Sequence, residues 1–174
     1  VYKRQPSVDG GGGRDCSVVI RKIPGVAAPC RLELLEIQLS TGDPSAPLLT
    51  WGDVGVNISS NAASAQACFD GRTAAGSPAC ATAPADASPS VTVGFGCEGA
   101  NFTASGLTAI DIYTDAGGAY AADTGNFTVE VFSASGAREA AFNLTAGGSR
   151  QSFAMPGGLA PPTAELRHAA RRRL

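Results

Sequence analysis

The side chains of this 174-residue chain that could do chemistry are few, and their spacing points to modification and recognition before catalysis. Four of its five asparagines open an Asn-x-Ser/Thr sequon: Asn57-Ile58-Ser59, Asn101-Phe102-Thr103, Asn126-Phe127-Thr128 and Asn143-Leu144-Thr145. Chance would supply about one such match, so the excess marks N-glycosylation acceptors and an extracellular, secreted or cell-surface chain. Five cysteines, Cys16, Cys30, Cys68, Cys80 and Cys97, show no Cys-x-x-Cys or Cys/His zinc spacing. In an oxidising compartment they read as disulfide formers with one left over. The Gly-, Ala- and Pro-rich stretch between Cys68 and Cys80 has little else to restrain it, so these two are expected to pair. Closing a loop of about a dozen residues is worth roughly 3 kcal/mol in the chain-entropy model. Cys16, Cys30 and Cys97 stay unassigned, and cysteines in loops beside Gly and Pro are expected to lie outside the core.

Catalytic constellations are thin. The one histidine, His168, lies in a basic tail beyond a proline-rich linker, so a Ser-His-Asp or Cys-His arrangement would need a residue outside the fold. Asp111 and Glu130 sit at alternating positions of half-buried strands, where carboxylates ordinarily face solvent instead of flanking a cleft. Gly10 to Gly13 lacks the Gly-Lys-Ser/Thr ending of a phosphate loop. Arg171-Arg-Arg173 reads as a solvated tail. For ligand recognition, aromatic faces with converging polar groups are needed, and the supply is Trp51, Tyr113, Asp115, Tyr120 and Asp123. A lone Trp in such a domain is more often core than platform; Tyr120, flanked by Ala and Gly, is better placed for exposure.

The elements that must position these residues are strands. Short apolar or alternating runs at 16–23, 31–39, 48–51, 54–58, 90–95, 107–113, 126–132, 140–144 and 151–155 are punctuated by Gly, Pro, Asp and Ser clusters. The run 31–39 is open between helix and strand locally, and strand is favoured because the pattern proposes no neighbouring helix for it to pack against. Residues 107–113 and 127–132 alternate apolar with small or polar groups, the pattern of half-buried antiparallel sheet. The expectation is an all-β fold, an antiparallel β-sandwich with negligible helix before residue 156. Residues 61–87 form a long irregular segment of the kind that is functional or held by a crosslink. With 44% hydrophobic residues the chain supports one sizeable domain, residues 15–155. Residues 1–14 form a polar lead whose first five resemble a translated sequencing adapter, and 156–174 a Pro/Gly linker with a basic tail. Neither a signal peptide nor an apolar span of about 20 residues is seen, so truncation at the front is expected and membrane insertion is not.

Three ordered segments resemble the discoidin-like, galactose-binding-like family, the fold of the coagulation factor V/VIII C-type domains. Val18-Val-Ile-Arg-Lys-Ile23 with Leu34-Leu-Glu-Ile-Gln-Leu39 resembles a pair of its strands. Ala67-Cys-Phe-Asp-Gly-Arg-Thr73, Cys80-Ala-Thr82 and Pro89-Ser-Val-Thr-Val93 resemble its Asp-Gly loop, Cys-His-Thr segment and following strand. Residues 107–113 and 126–136 resemble its Tyr-ending strand and its Thr-Val-Glu-Val hairpin. The resemblance covers residues 15–155 and implies a jelly-roll sandwich and a structural Ca²⁺. Carried over, the calcium ligands are Asp70, Glu36, the carbonyls of Ala67 and Arg72, and Thr82. Calcium takes six to eight hard oxygens, so further groups would complete the shell; the plain alternative is that Asp70-Gly71 only makes a turn and Glu36 is solvated. The family's Trp is Ser90 here, its sugar-binding His is Ala81, and its Asn-Arg pair is Thr114-Asp115, so fucose specificity does not carry over.

A formal net charge of −2 offers no footprint for nucleic acid or anionic membrane. Two expectations remain: a noncatalytic carbohydrate-binding module whose partner is a glycan or cell-surface glycoprotein, and a structural or protein-adhesive module. Either would be part of a larger multidomain chain.

Overall fold

A computed structural model describes residues 15–27, 30–41, 48–96 and 106–155. Its strands are β1 (Asp15–Lys22), β2 (Glu33–Leu34), β3 (Glu36–Thr41), β4 (Val54–Ile58), β5 (Cys80–Ala81), β6 (Ser90–Gly96), β7 (Leu107–Tyr113), β8 (Phe127–Phe132), β9 (Arg138–Asn143) and β10 (Arg150–Ala154). They form a five-stranded sheet in the order β4-β6-β1-β8-β9, a three-stranded sheet β10-β7-β3, and the small pair β2-β5. Every pairing is antiparallel. The all-β, antiparallel sandwich expected from the alternating segments is what the chain forms.

The two-residue period that predicts the strands is the period that buries them. Cys16, Val18 and Ile20 of β1 turn inward, as do Val91, Val93 and Phe95 of β6 and Ile110 and Ile112 of β7. In register, Val18 lies between Val93 and Val131, and Ile20 between Val91 and Val129. From the other sheet Ile37 and Leu39 oppose Ile112 and Ile110. β-branched side chains fit this pleated surface well, and each fully buried aliphatic contributes about 1.5–3 kcal/mol of transfer free energy. On one flank Phe142 of β9 stacks on Phe153 of β10, centroids 4.9 Å apart, joining the sheets. On the other, a 3-10 helix (Ala62–Phe69) packs against β3, β4 and β5.

Several local expectations are corrected. The 3-10 helix lies inside the segment expected to be irregular and is an exception to negligible helix. Run 31–39 is strand, but it breaks at buried Leu35: β2 pairs with β5 while β3 pairs with β7. The segments resembling a strand pair, β1 and β3, are not bonded to each other, since they belong to opposing sheets. Residues 48–51 do not form a strand. Leu48 makes one bridge to Ser40, and the chain then turns because Asp53 Oδ2 accepts hydrogen bonds from the backbone N–H and hydroxyl of Thr50 at 2.8 and 2.7 Å.

The cysteines also depart from expectation. Cys16, Cys30, Cys68 and Cys80 are all buried, because β1 and β5 turn theirs inward and the 3-10 helix seats Cys68 against the core. Asp111 and Glu130 are on outward faces but are not solvated: they are 7% and 3% exposed. Glu130 is roofed by two arginines, Arg21 Nε 2.6 Å from Oε2 and Arg138 Nη1 2.9 Å from Oε1. Burial by itself would raise its pKa; the hydrogen bonds and charges of Arg138 and Arg21 outweigh it and hold the carboxyl below its ordinary value. Asp111 accepts from Arg150 at 3.1 and 3.4 Å and from the Ser152 hydroxyl.

Candidate functional site

Strand direction gathers most of the candidate residues at one end of the sandwich. Lys22, the last residue of β1, pairs with Phe127, the first of β8; Arg21 pairs with Ser90, the first of β6. The connections leaving that end are cross-bonded. Ile23 N–H donates to the Asn126 carbonyl at 2.8 Å, Arg31 N–H to Asp123 Oδ2 at 3.0 Å, and Gly147 N–H to the Ala121 carbonyl at 3.1 Å. The Thr114 hydroxyl donates to the Gly148 carbonyl. Trp51 is elsewhere. It precedes β4, whose first residue pairs with Phe95 near the far end of β6, and its half-buried ring packs on the core. It therefore cannot share a site with Tyr113, Asp115, Tyr120 and Asp123.

Cys68 and Cys80 form the expected disulfide, with a sequence separation of 12 and Cα atoms 5.0 Å apart. Within the closed loop the Asp70-Gly71 turn folds over the edge of β3. Gly71, at φ 78°, occupies the left-handed region that glycine tolerates, and its N–H donates to Glu36 Oε2 at 3.1 Å. Asp70 Oδ1 accepts from Arg72 N–H at 2.9 Å, the turn bond expected of this residue, and Arg72 Nε lies 3.8 Å from Oδ2. Glu36 is 5% exposed and so not the solvated carboxylate of the plain alternative. Burial pushes its pKa up to about 7; the negative charge of Asp70 adds to the rise, and backbone N–H groups of Gly71 and Asp70 oppose it. No Lys or Arg is ion-paired with Glu36 among the described residues.

Glu36 itself has no cationic partner among the described residues, whereas Asp70 is shared with Arg72, so a hard cation at the pair would have to displace that guanidinium. Among the described residues no group of three His, Cys, Asp or Glu converges, so carbonyls such as those of Ala67 and Arg72 would have to complete a shell. Thr82 is committed to the backbone: its hydroxyl accepts from Leu32 N–H at 3.1 Å and its own N–H donates to the Leu32 carbonyl at 3.0 Å.

The same loop reaches the recognition candidates, because Gly76 N–H donates to Asp115 Oδ2 at 3.2 Å. Asp115 and Tyr120 line a shallow depression with Glu33, Thr114, Gly118 and Thr124 that encloses about 10 Å³, hardly more than a water. The Tyr120 ring is covered by the Arg31 guanidinium, 4.5 Å from its centroid, and Arg31 also approaches Glu33 at 3.4 Å. Arg31 Nε is buried without a hydrogen-bond partner among the described residues. Tyr113 lies apart on the outer face of the smaller sheet, its hydroxyl 3.3 Å from Gln38 Oε1 and its ring 5.5 Å beneath Arg150. Hydrogen bonding to Asp111, together with its charge, holds the Arg150 pKa above its ordinary value.

A larger concavity at this end was missed. Open to solvent, it spans about 400 Å³ between residues 21–26 and 87–90. One wall is the turn Ile23-Pro24-Gly25-Val26, closed by Val26 N–H to the Ile23 carbonyl at 3.2 Å with Gly25 at φ 84°. The opposite wall is anchored by Asp86, which accepts from Ser59 Oγ at 2.5 Å, Ser60 Oγ at 2.6 Å and Ser88 N–H at 2.9 Å. Burial would raise the Asp86 pKa, but these bonds win and hold it below the ordinary range. Pro24-Gly25 was legible as a turn; that Arg21-Lys22 and Pro89-Ser90 face one another required the β1–β6 register.

Of the sequon asparagines, Asn57 and Asn143 are exposed, on β4 and β9, the two edges of the larger sheet. Asn126 is half-buried at the foot of β8, and Asn101 lies outside the described residues, as do Cys97, His168 and Arg171 to Arg173. Cys16 is disulfide-bonded. Cys30 is a buried free thiol whose pKa is pushed up by burial; Lys22 opposes the rise and Asp123 adds to it. No helix among the described residues is long and apolar enough to cross a membrane. Comparison with protein-family models, with curated proteins and with solved structures yields no match to this chain.

Proposed function

We propose that this chain is a noncatalytic extracellular carbohydrate-binding module of the discoidin-like kind, with a Ca²⁺ held at Glu36 and Asp70. The observation that carries the reading is the concentration at a single end of the sandwich of crosslinked polar loops around a preformed concavity, in the size range of small-ligand sites. Such a scaffold positions donors and acceptors on rigid strands while leaving their tips to the ligand. When bound, calcium would neutralise the Glu36–Asp70 pair and pin the Cys68–Cys80 loop to β3, with the carbonyls of Ala67 and Arg72 as further ligands of the shell. Disulfide bonding at Cys16, Cys68 and Cys80 and the exposed sequons at Asn57 and Asn143 support the extracellular placement.

A second reading, a structural or adhesive module without sugar binding, is favoured by one observation: the expected platforms are already covered, Tyr120 by Arg31, Tyr113 by Arg150 and Trp51 by core contacts. A glycan array probed with the purified chain, with and without chelator, separates the two. Saturable binding to a defined set of glycans is expected, and silence across the array in both buffers would leave the structural module.

A further inference from the structure

The geometry points to an anionic saccharide, bearing a uronate carboxylate or a sulfate, as the ligand of the groove between residues 21–26 and 87–90, with Lys22 as its charge-reading residue. This inference rests on the carbohydrate reading and gives it a substrate class and a location. Four features of the groove carry it.

First, its volume of about 400 Å³ suits a mono- or disaccharide, where the depression at Tyr120 holds little more than a water. Second, its lining holds two cations and no acid. Arg21 and Lys22 both line it, and the carboxylate nearest Arg21, Glu130, is shared with Arg138, so two guanidiniums face one carboxylate. Lys22 is half-buried and has no salt-bridge partner among the described residues. Of the acids packed nearby, Asp86 is occupied by Ser59, Ser60 and Ser88, and Asp123 by the Arg31 N–H. Asp86 and Asp123 keep their charge, since neutral donors do not neutralise them, but neither is ion-paired with Lys22, which leaves Lys22 as the cation of the lining that an incoming anion could engage.

Third, the lining is mixed as a sugar requires. Ile23, Pro24, Val26 and Pro89 offer apolar surface for ring C–H groups, and Ser88 and Ser90 offer hydroxyls. Fourth, the walls are preorganised, one by the proline-glycine turn and the other by Asp86, with Lys22 N–H donating to the Pro89 carbonyl at 3.3 Å across the groove. Little ordering entropy is then lost on binding.

The test is an array of oligosaccharides carrying uronate or sulfate beside their neutral counterparts, probed with wild type, Lys22→Gln and Lys22→Arg. Wild type should bind the anionic members and be displaced by free glucuronate or by raised salt. Lys22→Gln should bind them at least about tenfold more weakly, and Lys22→Arg should retain most of the binding. Thermal melts of each variant establish folding; if Lys22→Gln fails to fold, displacement of wild type by glucuronate but not by glucose decides. Binding confined to neutral glycans, or anionic binding unchanged in folded Lys22→Gln, overturns this inference and leaves the carbohydrate reading standing. Silence on every glycan overturns both.

Discussion

Glu36 makes the fold's response to pH and to calcium a single experiment. Its carboxyl is held near pH 7 in the folded chain against an ordinary value of 4.5. Between those values the native state binds the proton and the unfolded state does not, so stability falls as pH rises through the window. A separation of about 2.5 pH units, at roughly 1.4 kcal/mol each, amounts to about 3 kcal/mol lost by pH 8 in the absence of metal. Glu36→Gln keeps the shape and an acceptor for Gly71 N–H but cannot ionise. In chelator, the variant should therefore match wild type near pH 4.5 and exceed it by up to about 3 kcal/mol at pH 8, which is a difference of roughly 6–12 °C in melting temperature. Calcium should close most of that gap at pH 8. It stabilises the ionised wild type by RT ln(1 + [L]/Kd), about 2.7 kcal/mol at a hundredfold excess, and does little for the variant. The assay is thermal unfolding of both proteins across pH 4.5–8 in calcium and in chelator. A wild-type minus variant difference that stays flat with pH in chelator refutes the burial argument. A wild-type melting temperature indifferent to calcium ends the metal site, and Asp70-Gly71 is then only a turn.

Two further outcomes follow from described contacts. Replacing Cys68 and Cys80 together by Ala should cost roughly 3 kcal/mol, measured by denaturant unfolding, and a nonreducing peptide map showing both thiols free would remove the basis for it. Glu130→Gln should destabilise by about 1–3 kcal/mol at neutral pH, because Arg21 and Arg138 lose the charge that both engage. Since the folded pKa of Glu130 is depressed, that contribution is present above the ordinary carboxylate range and fades as pH falls through the folded value; a wild-type advantage that persists at pH 2 would contradict the assignment.

The strands were legible wherever side chains alternate along one chain, as in 54–58 and 107–113, because that period reports one buried face. It was silent about what covers the other face. Glu130 and Asp111 read as solvated carboxylates because nothing in a linear pattern shows that Arg21, Arg138 and Arg150 fold over them from neighbouring strands. Trp51 and Tyr120 both entered as recognition candidates, and only strand direction puts them at opposite ends of the sandwich. Glu36 and Asp70, 34 positions apart, entered as partners through a resemblance; their proximity follows from the turn at Gly71 and the disulfide behind it. The Lys22 groove had no linear signal, being made by antiparallel register.

The position of β1 governs the order in which this molecule can be built. It precedes the other described strands yet occupies the middle of its sheet, with Val18 opposite Val93 on one side and Val131 on the other. A ribosome must therefore deliver about 75 residues more before the first partner is available, and over 110 before the second. Until then a strand of Val, Val and Ile waits with both hydrogen-bonding edges open, the condition under which nascent chains aggregate or recruit chaperones. Because the loop end depends on Lys22 pairing with Phe127 and Arg21 with Ser90, the groove exists only after both closures. A chain interrupted anywhere before β8 would hold neither a stable core nor a site.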